Sequence, residues 1–142
     1  MSHSSPLVTV LGGYGIFGGR VAEALARDES CRVRIVGRSA RIGHNFARRV
    51  GADFHACAIE DRDALRGTID GSFLVVHAAG PFQGADYHVA EECIKAGAHY
   101  LDLADARDFV AGIGCFTICR KNTPLGLPSS TANFASASAR WL

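Results

Sequence analysis

Lysine is nearly missing from this 142-residue sequence, and tryptophan and methionine occur once each. Long apolar runs are missing too: nothing approaches the roughly 20 residues that a membrane-spanning helix needs. The first six residues, Met-Ser-His-Ser-Ser-Pro, are too short and too polar for a signal peptide. A cytoplasmic protein is expected. Neither sign of charge dominates. A net charge of +1 offers no broad basic surface to nucleic acid or to an anionic membrane. The only lysines, Lys95 and Lys121, stand among many arginines. That imbalance reads as the coding bias of a GC-rich bacterial genome and not as function. Paired-cysteine motifs are absent. Cys31, Cys57, Cys93, Cys115 and Cys119 are odd in number and form no C-x-x-C. They read as free thiols of a reducing compartment, with Cys57 and Cys93 inside apolar patterns. No H-E-x-x-H or paired-cysteine motif supplies zinc ligands, so no metal is expected.

Glycine, in contrast, is plentiful, and its placement organises the chain. Residues 8–25 read Val-Thr-Val-Leu-Gly-Gly-Tyr-Gly-Ile-Phe-Gly-Gly-Arg-Val-Ala-Glu-Ala-Leu. This is a short buried strand, a tight turn and a helix. Gly13, Gly15 and Gly18 fall in the G-x-G-x-x-G spacing of dinucleotide-binding folds. In that reading Gly13 turns the chain off the strand, Gly15 admits a pyrophosphate close to the backbone, and Gly18 lets the helix pack on the strand. The helix then points free N–H groups and the positive end of its dipole at the phosphates. Phe17, Val21, Ala24 and Leu25 recur at helical spacing, which predicts the face that meets the sheet.

The rest of the chain alternates strand and helix. Strands are expected at Leu7–Leu11, 31–36, 52–58, 72–78 and 99–103, and helices at about 40–50, 62–66, 84–97 and 106–111. In the second helix Ile42, Phe46 and Val50 form a stripe, and Ser39 is placed to cap it. The run Phe-Leu-Val-Val-His-Ala at 73–78 has the near-continuous apolar character of a parallel strand covered on both faces. Such βαβ units predict a Rossmann-like α/β fold, a doubly wound parallel sheet of order 3-2-1-4-5. Its ligand crevice lies above strands one and four.

The end of strand two carries Gly37-Arg38-Ser39 where NAD-binding folds carry an acidic residue for the ribose 2′-hydroxyl. No carboxylate there repels a 2′-phosphate. Arg38 can pair with such a phosphate and Ser39 can donate to it, which favours NADP over NAD. Otherwise Arg38 is a solvated loop cation and Ser39 a helix cap. Glu60 and Asp61 end strand three, either at the adenine edge or as carboxylates at a helix N-terminus. Ala79, Gly80 and Pro81 end strand four, where backbone would pass the nicotinamide ribose. The cofactor-binding set is thus Gly13, Tyr14, Gly15, Ile16, Phe17, Gly18, Arg38, Ser39, Glu60, Asp61, Ala79, Gly80 and Pro81.

Four segments together resemble the N-terminal NADP-binding domain of the saccharopine dehydrogenase-like family. They are Gly-Gly-Tyr-Gly-Ile-Phe-Gly at 12–18, Val-Gly-Arg-Ser at 36–39, His-Ala-Ala-Gly-Pro-Phe-Gln at 77–83 and His-Tyr-Leu-Asp-Leu-Ala-Asp at 99–105. The resemblance covers about residues 7–113. It implies a Rossmann domain of an oxidoreductase that uses NADP(H) or NAD(H), truncated here relative to the family. Family chains continue into a second domain that shapes the substrate site, so this chain is expected to be inactive alone. A non-catalytic NADP-binding sensor or structural module is the alternative.

No catalytic residue is assigned. Tyr87 is followed four residues later by Glu91, so a Tyr-x-x-x-Lys pair is lacking, and so is a G-x-S-x-G elbow. His77, Asp102 and Asp105 fall on the rim where ligands bind, but strand-end packing and helix capping explain them as well. The expected organisation is a flexible end at 1–6, the dinucleotide-binding domain at 7–114 and an irregular tail at 115–142. That tail has no acidic residue, and the β/α rhythm stops there, the pattern a frameshifted or non-native end leaves. Apolar surface on a shortened sheet predicts a homo-oligomer, a dimer or larger.

Overall fold

In the computed structural model residues 5–113 are described, and the tail read above as irregular lies outside them, as do the first four residues. Ser5 and Pro6, read above as part of a flexible end, accept from Arg32: its Nε donates to the Ser5 carbonyl oxygen at 3.3 Å and its N–H to that of Pro6 at 2.9 Å. Five strands alternate with five helices. They are β1 (Leu7–Leu11), α1 (Ile16–Ala26), β2 (Arg32–Gly37), α2 (Ala40–Val50), β3 (Asp53–Ala56), α3 (Arg62–Ile69), β4 (Leu74–His77), α4 (His88–Ala96), β5 (His99–Asp102) and α5 (Arg107–Ile113). The strands form one parallel sheet of order β3-β2-β1-β4-β5. That is the predicted Rossmann-like topology.

Side-chain alternation along the strands builds a separate core on each face of the sheet. Val8, Val10, Val33, Ile35 and Val76 meet Ala22 of α1 and Ala47 of α2. Leu11, Val36 and Val75 meet Leu65 and Ile69 of α3, Val89, Ala90 and Cys93 of α4, and Phe109 and Ile113 of α5. β1 is buried along its whole length. Its one polar residue, Thr9, is satisfied by a 2.8 Å hydrogen bond between its Oγ1 and Ser72 Oγ.

The helix faces differ from those read off apolar spacing. On α1 the buried residues are Gly18, Gly19 and Ala22, while Phe17 is 68% exposed. On α2 they are Gly43 and Ala47, with Phe46 and Val50 at the margin and Ile42 exposed. In both helices the smallest residues take the closest contacts: Gly18 faces the glycine turn and the end of β4, Gly19 faces Phe46 of α2, and Gly43 faces Phe54 of β3. A Cβ on Gly43 would stand 2.0 Å from the Phe54 ring, so it is β3's aromatic that fills the space. α3 runs three residues past its predicted end, since Thr68 and Ile69 are buried. α4 starts later than predicted. Gly84 takes a φ of +71°, and the Asp86 carboxylate accepts the His88 N–H at 3.2 Å.

α3 and α4 are tied by a buried carboxylate. Glu92 is fully buried and accepts from Arg66 Nε at 2.9 Å and Lys95 Nζ at 2.9 Å, with Arg62 at 3.9 Å. These cations hold its carboxyl down at about 2.

Candidate functional site

Every predicted site residue lies at the carboxyl ends of the strands, in the turns that follow them or in the first turn of α1. β1 ends in the glycine turn. The left-handed conformation there belongs to Gly12, with φ +73°, one residue before the first glycine of the motif. Gly12 also lies hard against the end of β4: a Cβ on it would meet the Ala78 carbonyl oxygen at 2.9 Å and Ala79 Cα at 3.0 Å. Gly13 is tight as well, its missing Cβ 2.8 Å from the Val10 carbonyl oxygen. Gly18 permits the closest approach, since a Cβ would come within 2.2 Å of the Gly12 carbonyl oxygen. The turn is thus wedged between α1 and the end of β4.

Gly15 is the N-cap of α1, and no side chain caps that helix. The first N–H to find an intrahelical acceptor is that of Gly19, which donates to Gly15 oxygen at 2.8 Å. An uncapped first turn at a glycine loop suits an anion. Gly15, Ile16 and Phe17 are exposed beside it, Ile16 at 78%.

Tyr14 does something the motif does not announce. Its hydroxyl accepts the Ser39 N–H at 2.8 Å, and its ring occupies the space a Gly37 side chain would need, 2.3 Å from that Cβ position. It pins the glycine turn to the turn after β2. Ser39 Oγ accepts the Ile42 N–H at 3.4 Å and so caps α2. Arg38 is exposed and has no ion-pair or hydrogen-bond partner among the described residues.

On the other side of β1, a cavity of about 430 Å³ opens between the β3–α3 and β4–α4 loops. Ile59, Glu60, Ala79, Gly80, Pro81 and Phe82 are among its walls, and the Gly80–Pro81 peptide is cis. His88 clasps the two loops: its Nε2 bonds the Ile59 carbonyl oxygen at 2.7 Å and its Nδ1 the Asp86 carboxylate. Asp61 is not part of the cavity wall. It caps α3, its carboxylate accepting the Ala64 N–H at 3.0 Å.

His77 also forms part of the cavity wall, although it is only 4% exposed. Its Nδ1 lies 3.0 Å from the Tyr100 hydroxyl, and its Nε2 is buried with no hydrogen-bond partner among the described residues. Tyr100 in turn bonds the Asp102 carboxylate, whose Oδ1 accepts the Ala104 N–H at 3.1 Å. Burial pushes the imidazole down to about 4, against the pull of the nearby Ala79 carbonyl, and raises both the tyrosine and the aspartate. His77 is therefore neutral at physiological pH. Sequence spacing put His77 and Asp102 on the rim but left out Tyr100. Only the pairing of His77 with Asp102 in the β4–β5 register brings the three together.

The described residues contain no cluster of metal-binding side chains, and no helix among them is long and apolar enough to cross a membrane.

Residues 8–130 match the family described as the saccharopine dehydrogenase NADP binding domain. None of the curated proteins matches the sequence. Among solved structures, apo saccharopine dehydrogenase (L-Glu forming) from Saccharomyces cerevisiae shares the fold. The TM-score is 0.67 at 16% identity, over 79% of this chain and 24% of that one. A short-chain dehydrogenase/reductase from Veillonella parvula, solved in complex with NADP, has a TM-score of 0.58 at 12% identity, over 68% of this chain and 46% of that one. BdcA from E. coli has a TM-score of 0.60 at 18% identity, over 80% of this chain and 72% of that one. At such identities the likeness is one of fold. The chain spans about a quarter of the yeast enzyme's length.

Proposed function

The chain belongs to the saccharopine dehydrogenase NADP-binding domain family, and from that premise we propose that it binds NADP(H) across the carboxyl ends of β1, β2 and β4. The pyrophosphate lies on Gly13, Gly15 and the first turn of α1. The 2′-phosphate pairs with Arg38, and the Ser39 hydroxyl stands beside it. The adenine edge reaches the loop of Glu60 and Asp61, and the nicotinamide ribose passes Ala79, Gly80 and Pro81. Ile16 and Phe17 offer apolar surface to the same nucleotide. When bound, the nicotinamide supplies hydride chemistry, and the chain's part is to place it. Because the chain spans 24% of the yeast enzyme, we propose oxidoreductase turnover for a whole enzyme that contains such a domain and not for this span.

The observation that carries the reading is the pairing of an uncapped helix N-terminus with Arg38, which has no partner among the described residues and stands in a turn that holds no carboxylate. Calorimetric titration with NADPH and NADH tests it. NADPH is expected to bind about tenfold or more tightly than NADH, the scale of one charge-assisted contact. Arg38→Ala should bring the two together. Equal affinities in the wild type would remove Arg38 from the cofactor site.

A further inference from the structure

We propose that His88 is a proton-dependent latch beside the nucleotide site: as an imidazolium it ties the β3–α3 loop to the start of α4, and on losing one proton it lets that tie go. The inference rests on the cofactor reading above, which lays the nucleotide along both loops. It adds to that reading a positioning residue and a direction of pH dependence.

The geometry gives the ring two protons. The His88 side chain is 15% exposed, and each ring nitrogen faces an oxygen. Nε2 lies 2.7 Å from the Ile59 carbonyl oxygen, which can only accept, so Nε2 donates. Nδ1 meets the carboxylate of Asp86. That side chain is 65% exposed, its Oδ1 also accepts the His88 N–H at 3.2 Å, and Arg62 of α3 stands 3.7 Å from its Oδ2. Each of these neighbours favours the ionised acid. The bond from the His88 ring is the largest pull holding the Asp86 carboxyl below the usual range. An ionised carboxylate only accepts, so Nδ1 donates as well. With a proton on each nitrogen the ring is an imidazolium. The charges around it agree. Arg62 is itself engaged by Glu91 at 3.0 Å and by the buried Glu92 at 3.9 Å. Glu60 lines the cavity from the opposite loop, and burial keeps the nearby His77 neutral.

A neutral ring has one proton for two acceptors. The charged carboxylate is the stronger acceptor, so that proton stays on Nδ1. Nε2 then turns a lone pair toward the Ile59 carbonyl oxygen, and an attraction becomes a repulsion. The bond that is kept is local, between Asp86 and His88. The bond that is lost is the one that crosses to the other loop. Ile59 leads directly into Glu60, and Gly80 and Pro81 wall the same cavity from the β4–α4 side. In the cofactor reading a nucleotide must meet both loops at once. Holding them in place beforehand lowers the ordering cost of binding. Coupling is reciprocal: a nucleotide that favours the tied form favours the protonated ring, so affinity falls as pH rises.

The test uses the whole chain and calorimetric titration with NADPH between about pH 5 and 8, the range in which histidine changes charge. The 2′-phosphate changes charge there too, so the quantity read is the difference between the wild type and His88→Gln. Glutamine offers Ile59 an amide donor that does not titrate. Wild-type affinity should fall by about three- to tenfold relative to that of His88→Gln as pH rises. Equal pH profiles overturn the proposal and leave the cofactor reading standing. In ¹⁵N NMR of the unliganded wild type, both His88 ring nitrogens should carry protons at the acid end, and Nε2 should be the one that loses its proton at the alkaline end. Loss from Nδ1 instead overturns the proposal, and so does a ring whose protonation does not change over the range. If His88→Gln does not fold, Asp86→Asn takes its place. Without the carboxylate a neutral ring can keep its proton on Nε2, so the pH profile should flatten, and a profile like that of the wild type overturns the latch. Failure of NADPH itself to bind overturns both readings.

Discussion

At the residue scale, two glycines show how one residue type does opposite work. Gly18 has no room for a methyl group, since a Cβ would sit 2.2 Å from the Gly12 carbonyl oxygen, a backbone atom that moves only if the whole turn moves. Gly67, inside α3, has nothing within 4 Å of its Cβ position. Gly18→Ala is therefore expected to destabilise by about 1–3 kcal/mol through overpacking, and to weaken NADPH binding because the turn is displaced. Gly67→Ala should stabilise by about 0.5–1 kcal/mol, the helix penalty of glycine, and leave binding alone. Urea denaturation of the two variants beside the wild type separates them. A Gly18→Ala variant as stable as the wild type would mean that the turn and α1 do not meet as described.

At the scale of elements, α3 and α4 meet through charge as well as apolar contact. Glu92 is fully buried, between Arg66 at 2.9 Å and Lys95 at 2.9 Å. Side-chain hydrogen bonds from these two cations hold its carboxyl at about 2, below the ordinary 4.5. A depressed folded-state pKa contributes stability that is fully present above the unfolded value and is lost as pH falls through the folded one. Glu92→Gln should thus lower the urea midpoint at pH 7, and the gap from the wild type should narrow between about pH 4.5 and 2. A gap that stays constant with pH would assign the loss to packing and not to the charge. Nothing in the spacing of α4 foretold this residue. Val89, Ala90 and Cys93 mark the inward face, and a carboxylate next to Cys93 reads as solvent-facing until α3 brings Arg66 across.

At the scale of the whole molecule, the proposed cofactor site lies at one end of the sheet, and exposed apolar surface lies elsewhere as well. Ile16 and Phe17 lie beside the glycine turn, whereas Phe73 precedes β4, is 55% exposed and packs against His99 at the start of the edge strand β5. We propose that copies of the chain associate, and that Phe73 belongs to the contact. Light scattering on eluted protein should give the mass of a dimer or larger, and Phe73→Asp should lower it. A monomer at high concentration would end that proposal.

The sequence by itself determined the alternation of strands and helices, the parallel order 3-2-1-4-5 and the place of the glycine turn. Those features follow from short-range periodicity and from the handedness of βαβ crossovers, which need no knowledge of distant neighbours. Tertiary structure alone decided the rest. α1 turns Gly18 to the glycine turn and the end of β4 and Gly19 to Phe46 of α2, and leaves Phe17 out, because the closest approach, not the largest side chain, selects the face. The left-handed residue is Gly12 because the end of β4 presses against the turn there. His77, Tyr100 and Asp102 form a chain because β4 and β5 pair in one register, and a shift of that register by one residue would turn their side chains to opposite faces.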